Sequence, residues 1–180
     1  MKAWPRVEPG TAAERRLLWI SGAAAFAALA ADQATKLWFV RFFSLHESRE
    51  VIPGWLNFTY VRNFGAAWSI FSGHVWPLLI FGLLVAAGIL IFFRKLAENC
   101  PERYVAQMLI VSGIIGNSID RMFRGAVVDF IHVHYESVWH YPIFNIADMA
   151  ICCGICVFVI SGFLRKPLAS EAGEDAKRGH

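Results

Sequence analysis

The sequence predicts an all-α membrane bundle of four transmembrane helices, with a small extracytoplasmic β-sheet and an interfacial segment. Four strongly apolar stretches support this fold class, at residues 17–40, 75–93, 104–119 and 143–164. Each is close to the length of helix that crosses roughly 30 Å of hydrocarbon. The chain of 180 residues is also 57% hydrophobic and only 17% charged, more apolar surface than a soluble domain of this size could bury.

The first stretch has an alternative interpretation as a cleaved signal peptide. Arg15 and Arg16 precede an apolar run, and Ala28-Leu29-Ala30 resembles a small-residue cleavage site. Apolar character resumes at residues 37–40, after Lys36, which favours a permanent span. The second stretch contains no charged residue before Arg94, and it is predicted to be a simple span.

Two segments between the spans are predicted to lie on the outer side. Residues 44–74 contain the turn signal Pro53-Gly54, followed by alternating side chains over 55–62, which predicts a small sheet on the membrane surface. Residues 122–142 are rich in valine, aromatic residues and histidine and have a poor helical period. They are predicted to form an interfacial segment that is re-entrant or extended.

Lysine and arginine placement predicts that both termini are cytoplasmic. Most of these cations lie before the first stretch, between the second and third, and after the fourth: Lys2, Arg6, Arg15, Arg16, Arg94, Lys95, Arg103, Arg165, Lys166, Lys177 and Arg178. Residues 1–16 and 167–180 are then short cytoplasmic ends, and 17–166 form the membrane domain. The cations form no basic, aromatic-interleaved track, so no nucleic-acid partner is predicted.

Polar residues interrupt the first and third stretches. Asp32, Thr35 and Lys36 share one helix face, and Asp32 can form an intrahelical ion pair with Lys36. This pair is either structural or, if the lysine is desolvated, a source of a base.

In the third stretch, small and polar residues recur every three or four positions: Gly113, Gly116, Asn117, Asp120 and Arg121. Glycines allow close helix packing, but packing does not explain Arg121, whose guanidinium suits peptide carbonyls or a carboxylate.

Two further acids are candidate catalytic groups. Asp129 is flanked by Val128 and Phe130, and Asp148 follows Asn145 near the start of the fourth stretch. Asn145 and Asp148 could simply be an N-cap and an N3 acid. Alternatively, two carboxylates near the outer surface could share a proton and activate water, which is aspartic-protease chemistry. Spacing allows either Asp120 or Asp129 to be the partner of Asp148.

Five motifs, in order, resemble the bacterial lipoprotein signal peptidases, the signal peptidase II family. They are Asp32-Gln33-Ala34-Thr35-Lys36, Asn63-Phe64-Gly65-Ala66-Ala67-Trp68, Gly116-Asn117-Ser118-Ile119-Asp120-Arg121, Val128-Asp129-Phe130 and Phe144-Asn145-Ile146-Ala147-Asp148. The resemblance extends from the first stretch to the fourth.

This resemblance implies an inner-membrane aspartyl endopeptidase that removes the signal peptide from prolipoproteins, cutting before the diacylglyceryl-modified cysteine. By motif, the catalytic dyad is Asp129 and Asp148. The implied substrate-binding residues are Asn63, Asn117, Arg121 and Asn145, and the supporting residues are Asp32, Lys36, Asp120 and Gly65. The resemblance also implies an active site at the outer face and sensitivity to globomycin. We further expect no metal or cofactor, and a monomer that contacts membrane lipids and its prolipoprotein substrates.

Two other functions compete with this one. A proton-coupled transporter would relay protons through Asp32, Asp120 and Asp148, but these acids lie towards one surface and no internal repeat is present. A metal-dependent hydrolase would use His132, His134 or His140 together with an acid. The alternation of His132 and His134 with Ile131 and Val133 is equally typical of an interfacial strand.

Overall fold

The computed structural model describes residues 6–65, 75–135 and 138–165. Five helices are present there: α1 (Ala12–Phe42), α2 (Val75–Ile91), α3 (Phe93–Ala97), α4 (Pro101–Arg124) and α5 (Ile146–Leu164). Four strands accompany them: β1 (Ser48–Ile52), β2 (Leu56–Asn63), β3 (Val127–Tyr135) and β4 (Trp139–His140).

Helix α4 is the centre of the helical part and packs against α1, α2 and α5. Its glycines make this possible. A Cβ added to Gly113 would lie 2.3 Å from the carbonyl oxygen of Ala147, and one on Gly116 would lie 2.7 Å from Oδ2 of Asp32. From α5, a Cβ on Gly154 would lie 2.6 Å from the carbonyl oxygen of Ala106. The predicted close approach at the glycines of the third stretch is therefore present, towards α5 and towards α1.

The described helices differ in how clearly they could cross a membrane. By length and composition, α1 with 31 residues and α5 with 19 are long and apolar enough, whereas α2 is a shorter apolar helix. Helix α4 has 24 residues, but its interior-facing side is polar, with Gln107, Asn117 and Asp120 buried. The predicted fold is therefore supported as helical with a small antiparallel sheet, and two of the four predicted spans satisfy this test in the described part of the chain.

The helix ends differ from the predicted ones by a few residues. Helix α4 begins at Pro101, a favoured first-turn residue, and ends before Gly125, which has φ 72°. Helix α5 starts at Ile146, three residues later than predicted, because Asn145 caps it. The short helix α3 follows α2 where the prediction had a single span to residue 93.

The strands form one antiparallel sheet in the order β1-β2-β3-β4. Strand β2 confirms the extended structure predicted from the alternating residues 55–62. The predicted interfacial segment is extended over β3 and pairs with β2, with Val61 opposite Asp129, but residues 122–124 still belong to α4. The family resemblance implies that the sheet and the loop of residues 63–68 form a cradle and lid over the substrate. Residues 66–74, which include the second half of that loop, lie outside the described residues.

An aromatic cluster holds the sheet against the end of α1. Phe39 and Phe43 pack with Tyr60, Val128 and Phe130, and the rings of Phe39 and Phe130 stack with their centroids 4.2 Å apart. Burying several aromatic side chains contributes several kcal/mol. This contact positions β3, and with it Asp129, relative to the helices.

Candidate active site

A cavity of about 490 Å³ lies between β2, β3 and the neighbouring ends of α4 and α5. Six of the predicted site residues line it: Asn63, Gly65, Asn117, Arg121, Asp129 and Asp148. The remaining lining is largely apolar and includes Tyr141, Phe144 and Ile151. The structure thus brings predicted residues from four segments, the end of β2, α4, β3 and the start of α5, to one site.

Asp148 is held by the start of α5. The Asn145 side chain accepts a hydrogen bond from the Asp148 backbone N–H at 2.9 Å, and the Asp148 carboxylate accepts one from the Asn145 backbone N–H at 3.2 Å. This is the capping box that the sequence allowed as an alternative to catalysis. Because Asp148 also lines the cavity, capping and a chemical role are compatible.

Asn145 connects the two candidate catalytic acids. Its side-chain Nδ2 donates to Oδ1 of Asp129 at 2.6 Å, while its backbone contacts Asp148. The same amide also donates to Oδ1 of Asn117 at 3.1 Å. Asn117 in turn donates to Oδ1 of Asp148 at 2.8 Å. Both carboxylates are therefore fixed by neutral amides rather than by direct ion pairs.

The segment after β2 closes one side of the cavity. Asn63 donates from Nδ2 to Oδ2 of Asp129 at 3.0 Å and accepts from the Gly65 backbone N–H at 3.0 Å. The Arg121 guanidinium donates to the carbonyl oxygen of Gly65 at 3.1 Å. Arg121 therefore binds a peptide carbonyl within the cavity, as its donor geometry suggested from the sequence.

The electrostatic environment favours a proton on Asp129. Burial and the nearby Asp148 carboxylate raise the pKa of Asp129 to about 7, against opposing hydrogen bonds from Asn63 and Asn145. A carboxyl group with this pKa can donate or accept a proton near neutral pH.

Asp32, Lys36 and Asp120 lie behind the cavity and do not line it. All three are almost completely buried. The Lys36 ammonium lies 2.9 Å from Oδ2 of Asp32 and 2.9 Å from Oδ2 of Asp120. Asp120 also pairs with Arg124 and accepts from the Val128 backbone N–H at 3.2 Å. The geometry thus brings Asp129, and not Asp120, to Asp148.

The three histidines of the metal alternative form a separate group on the sheet. His132, His134 and His140 have ring centroids 5.1 to 5.8 Å apart, and none lines the cavity. Among the residues the structure describes, no group of three His, Cys, Asp or Glu side chains is arranged to hold a metal ion.

Sequence reasoning missed one member of the buried network and the apolar lining. Arg124, to which the sequence analysis gave no role in the site, pairs with Asp120 and donates to Gln33 at 3.3 Å. Its spacing of four residues from Asp120 on a helix was a usable signal. Tyr141, Phe144 and Ile151 carried no such signal, because apolar residues are common throughout this chain.

A buried carboxyl and a partly buried one in the same cavity, held by amides and with one pKa near neutrality, are typical of an aspartic hydrolase. The family model described as "Signal peptidase (SPase) II" matches residues 24–164. The chain therefore belongs to the signal peptidase II family and is an aspartic peptidase.

Relatives and solved structures agree with this assignment. Proteins named lipoprotein signal peptidase are similar to the chain: one from Bacillus pumilus is 41% identical, covering 78% of this chain and 90% of the relative. Another, from Haemophilus influenzae, is 41% identical and covers 81% of this chain and 84% of the relative. A bacterial membrane enzyme solved by the in meso method at 2.3 Å matches with a TM-score of 0.75 and 36% identity, over 80% of this chain and 87% of the other.

Proposed function

We propose that this peptidase removes the signal peptide from prolipoproteins by cutting before the diacylglyceryl-modified cysteine, with Asp129 and Asp148 as its catalytic dyad. The observation that carries the proposal is the bridge through Asn145, which bonds both carboxylates within one cavity. This geometry supports metal-free hydrolysis by a proton-sharing pair.

The proposed reaction needs one proton on the dyad. The ionised carboxylate removes a proton from a water molecule, whose oxygen forms a bond to the scissile carbonyl carbon, while the protonated carboxyl gives its proton to the carbonyl oxygen. The resulting diol then returns one proton to the carboxyl that protonated the carbonyl oxygen. The carboxyl that took the proton from water gives it to the leaving amine, and the C–N bond breaks. The dyad ends in its starting state, and one water has been consumed.

Substrate positioning is assigned to polar groups around the dyad. Arg121 already donates to a peptide carbonyl, that of Gly65, and a substrate carbonyl is chemically equivalent. Asn63, Asn117 and Asn145 each present an amide N–H to the dyad. The apolar lining from Tyr141, Phe144 and Ile151 suits the small apolar residues and lipid chains near the cut.

The proposed location is the inner membrane, with α1, α2, α4 and α5 as four spans. Large apolar side chains exposed on these helices, such as Trp19, Phe81 and Phe163, support contact with lipid. Basic residues near both termini support cytoplasmic ends, which would place the cavity at the outer face. We further propose that the enzyme acts as a monomer and is inhibited by globomycin.

The test is cleavage of a purified, diacylglyceryl-modified prolipoprotein by the wild-type enzyme and by its Asp129→Asn and Asp148→Asn variants, with and without EDTA. We expect each variant to fold but lose turnover by at least about 10²- to 10⁴-fold, the range for general acid–base groups. EDTA should have no effect.

Asp120→Asn is the matched control, because it changes a buried acid outside the cavity. Retained turnover in Asp129→Asn or Asp148→Asn would contradict the dyad. Loss of activity in EDTA would instead support a metal-dependent mechanism.

A further inference from the structure

Three amide side chains surround the dyad, and a group that can only donate fixes the orientation of each. The Gly65 backbone N–H bonds Oδ1 of Asn63, and the Asp148 backbone N–H bonds Oδ1 of Asn145. The third amide, Asn117, is different, because its Oδ1 accepts from the Lys36 ammonium at 3.0 Å. A lysine ammonium has no acceptor, so Nδ2 of Asn117 must point the other way, to Asp148.

Lys36 is completely buried, and its environment uses all three of its N–H donors. They lie 2.9 Å from Asp32, 2.9 Å from Asp120 and 3.0 Å from Asn117. Two carboxylates would be enough to pair with the charge. Ion pairing therefore does not account for the third contact, which is the hydrogen bond to Asn117. That hydrogen bond links the buried charge of Lys36 to the dyad through a single amide.

The two catalytic carboxylates consequently have unequal support. Asp148 accepts from an amide polarised by a positive charge, accepts a backbone N–H, and lies in the first turn of α5, where the helix dipole favours an anion. Asp129 lies on a strand and accepts from two neutral amides, those of Asn63 and Asn145. Charge-assisted and dipole-supported hydrogen bonds are the stronger ones for an anion.

We propose that Lys36 is a positioning residue which, through Asn117, keeps Asp148 as the ionised member of the dyad and leaves the shared proton on Asp129. Asp148 is then the carboxylate that takes the proton from water, and Asp129 is the acid that protonates the scissile carbonyl oxygen. This inference rests on the proposed function for its catalytic meaning, but the order of protonation is a property of the free enzyme.

Other charges face the dyad and act on the same equilibrium. Helix α1 contributes Asp32 as well as Lys36, and α4 contributes Arg121, on which Asp120 also acts. Asp32 and Asp120 are each paired with a buried or half-buried cation. Arg121 interacts with both Asp129 and Asp148. Lys36 differs from Arg121 in its hydrogen bonds: the Asn117 amide that accepts from Lys36 donates directly to Asp148, and it is linked to Asp129 only through the Asn145 amide.

The first experiment measures the pH profile of turnover for the wild type and for Lys36→Met, which keeps the length of the side chain and removes its charge. We expect the acid limb, which reports protonation of Asp148, to move to higher pH by about one unit, while the basic limb moves less. A merely structural role for Lys36 would lower the amplitude of the profile and leave both limbs in place.

Arg103→Met is the matched control, because it also removes a buried cation of the same bundle. Arg103 is 7% exposed and bonds Glu98 and Ser161, away from the cavity. We expect it to reduce stability without moving the acid limb. If Lys36→Met does not fold, Asn117→Leu keeps the ion pairs of Lys36 but removes both its link to the dyad and the Asn117 hydrogen bond to Asp148. The acid limb should then move upward, and an unmoved limb would overturn the proposal.

The second readout needs no substrate. Aspartate carboxyl groups labelled with ¹³C are titrated by NMR, and the two catalytic resonances are assigned from their absence in Asp129→Asn and Asp148→Asn. In the wild type Asp148 should titrate at lower pH than Asp129, and Lys36→Met should narrow that difference. The reverse order, or an unchanged difference in Lys36→Met, would overturn the proposal. Failure of the wild type to cleave prolipoprotein would overturn the proposed function instead, and the NMR titration would still decide the role of Lys36.

Discussion

Buried or half-buried acids occur at both ends of this helical bundle, but their partners differ. At the end opposite the cavity, Glu102 accepts from Arg165 at 2.5 and 2.6 Å, and Glu98 pairs with Arg103 at 2.8 Å. At the cavity, Asp129 and Asp148 accept from amides and backbone N–H groups. The acids opposite the cavity are each paired with a cation, whereas the acids at the cavity are each bonded to neutral donors.

This difference separates the acids that have structural partners from the two acids that we propose to be catalytic. A carboxylate paired with arginine remains ionised over a wide pH range, since the cation favours the charged form. A buried carboxyl held by amides keeps its geometry without a cation to hold it ionised. Burial and the nearby Asp148 carboxylate raise the pKa of Asp129 to about 7, although the hydrogen bonds from Asn63 and Asn145 oppose that rise. Asp32 and Asp120 lie close to the cavity but follow the structural pattern, because Lys36 and Arg124 pair with them.

The largest expected effect tests whether Asp120 is structural. Asp120→Asn leaves Lys36 and Arg124 with less negative charge in a buried network, and breaking such a pair costs about 3–5 kcal/mol. We expect a large drop in thermal stability in detergent, with turnover per folded molecule changed far less. Wild-type stability combined with lost turnover would place Asp120 among the reactive acids.

A smaller effect is expected when the shared amide is removed. Asn145→Ser keeps an N-cap side chain for α5 but loses the Nδ2 contact with Asp129. We expect turnover to fall by about 10²-fold, the scale of one lost donor at an active site, with little change in melting temperature. Asn145→Ala should show the same loss of turnover together with about 1 kcal/mol of lost stability. Equal turnover in Asn145→Ser and the wild type would show that capping is the whole role of Asn145.

The pH dependence of turnover should report the acids at the cavity and not those at the opposite end of the bundle. As pH rises through about 7, Asp129 loses its proton, so the form that donates to the substrate disappears. Turnover should therefore decrease about tenfold for each pH unit well above this value, and the apparent value belongs to the coupled pair. Constant turnover up to pH 9 would contradict a protonated carboxyl in the reaction.

The smallest effect is expected at the opposite end. Glu102→Gln removes the charge that pairs with Arg165, but Glu102 is 31% exposed, so the loss of stability should be at most about 1 kcal/mol. Turnover and its pH profile should match the wild type. A shift of the pH profile of turnover would show that the two ends of the bundle are coupled through α4 and α5, so that the acids at the two ends are not independent.

Much of the site could be predicted because its residues carry local signals. An acid and a lysine four positions apart predicted the pair of Asp32 and Lys36, which is present at 2.9 Å. The Asn145 and Asp148 pattern predicted a capping box, and one is present. Glycine spacing predicted the close approach between α4 and its neighbours.

The amino-acid sequence by itself determined the helical character, the presence of a small sheet and which polar residues are exceptional, because these follow from periodicity, turn chemistry and the cost of burying charge. Only the tertiary structure decided that Asp129, rather than Asp120, faces Asp148, and that Asn117 connects Lys36 to the dyad. The physical reason is distance along the chain: the aromatic contacts of Phe39 with Phe130 and the packing of Gly113 on Ala147 orient β3 and α5. No local sequence pattern encodes the resulting proximity of Asp129 on β3 and Asp148 on α5.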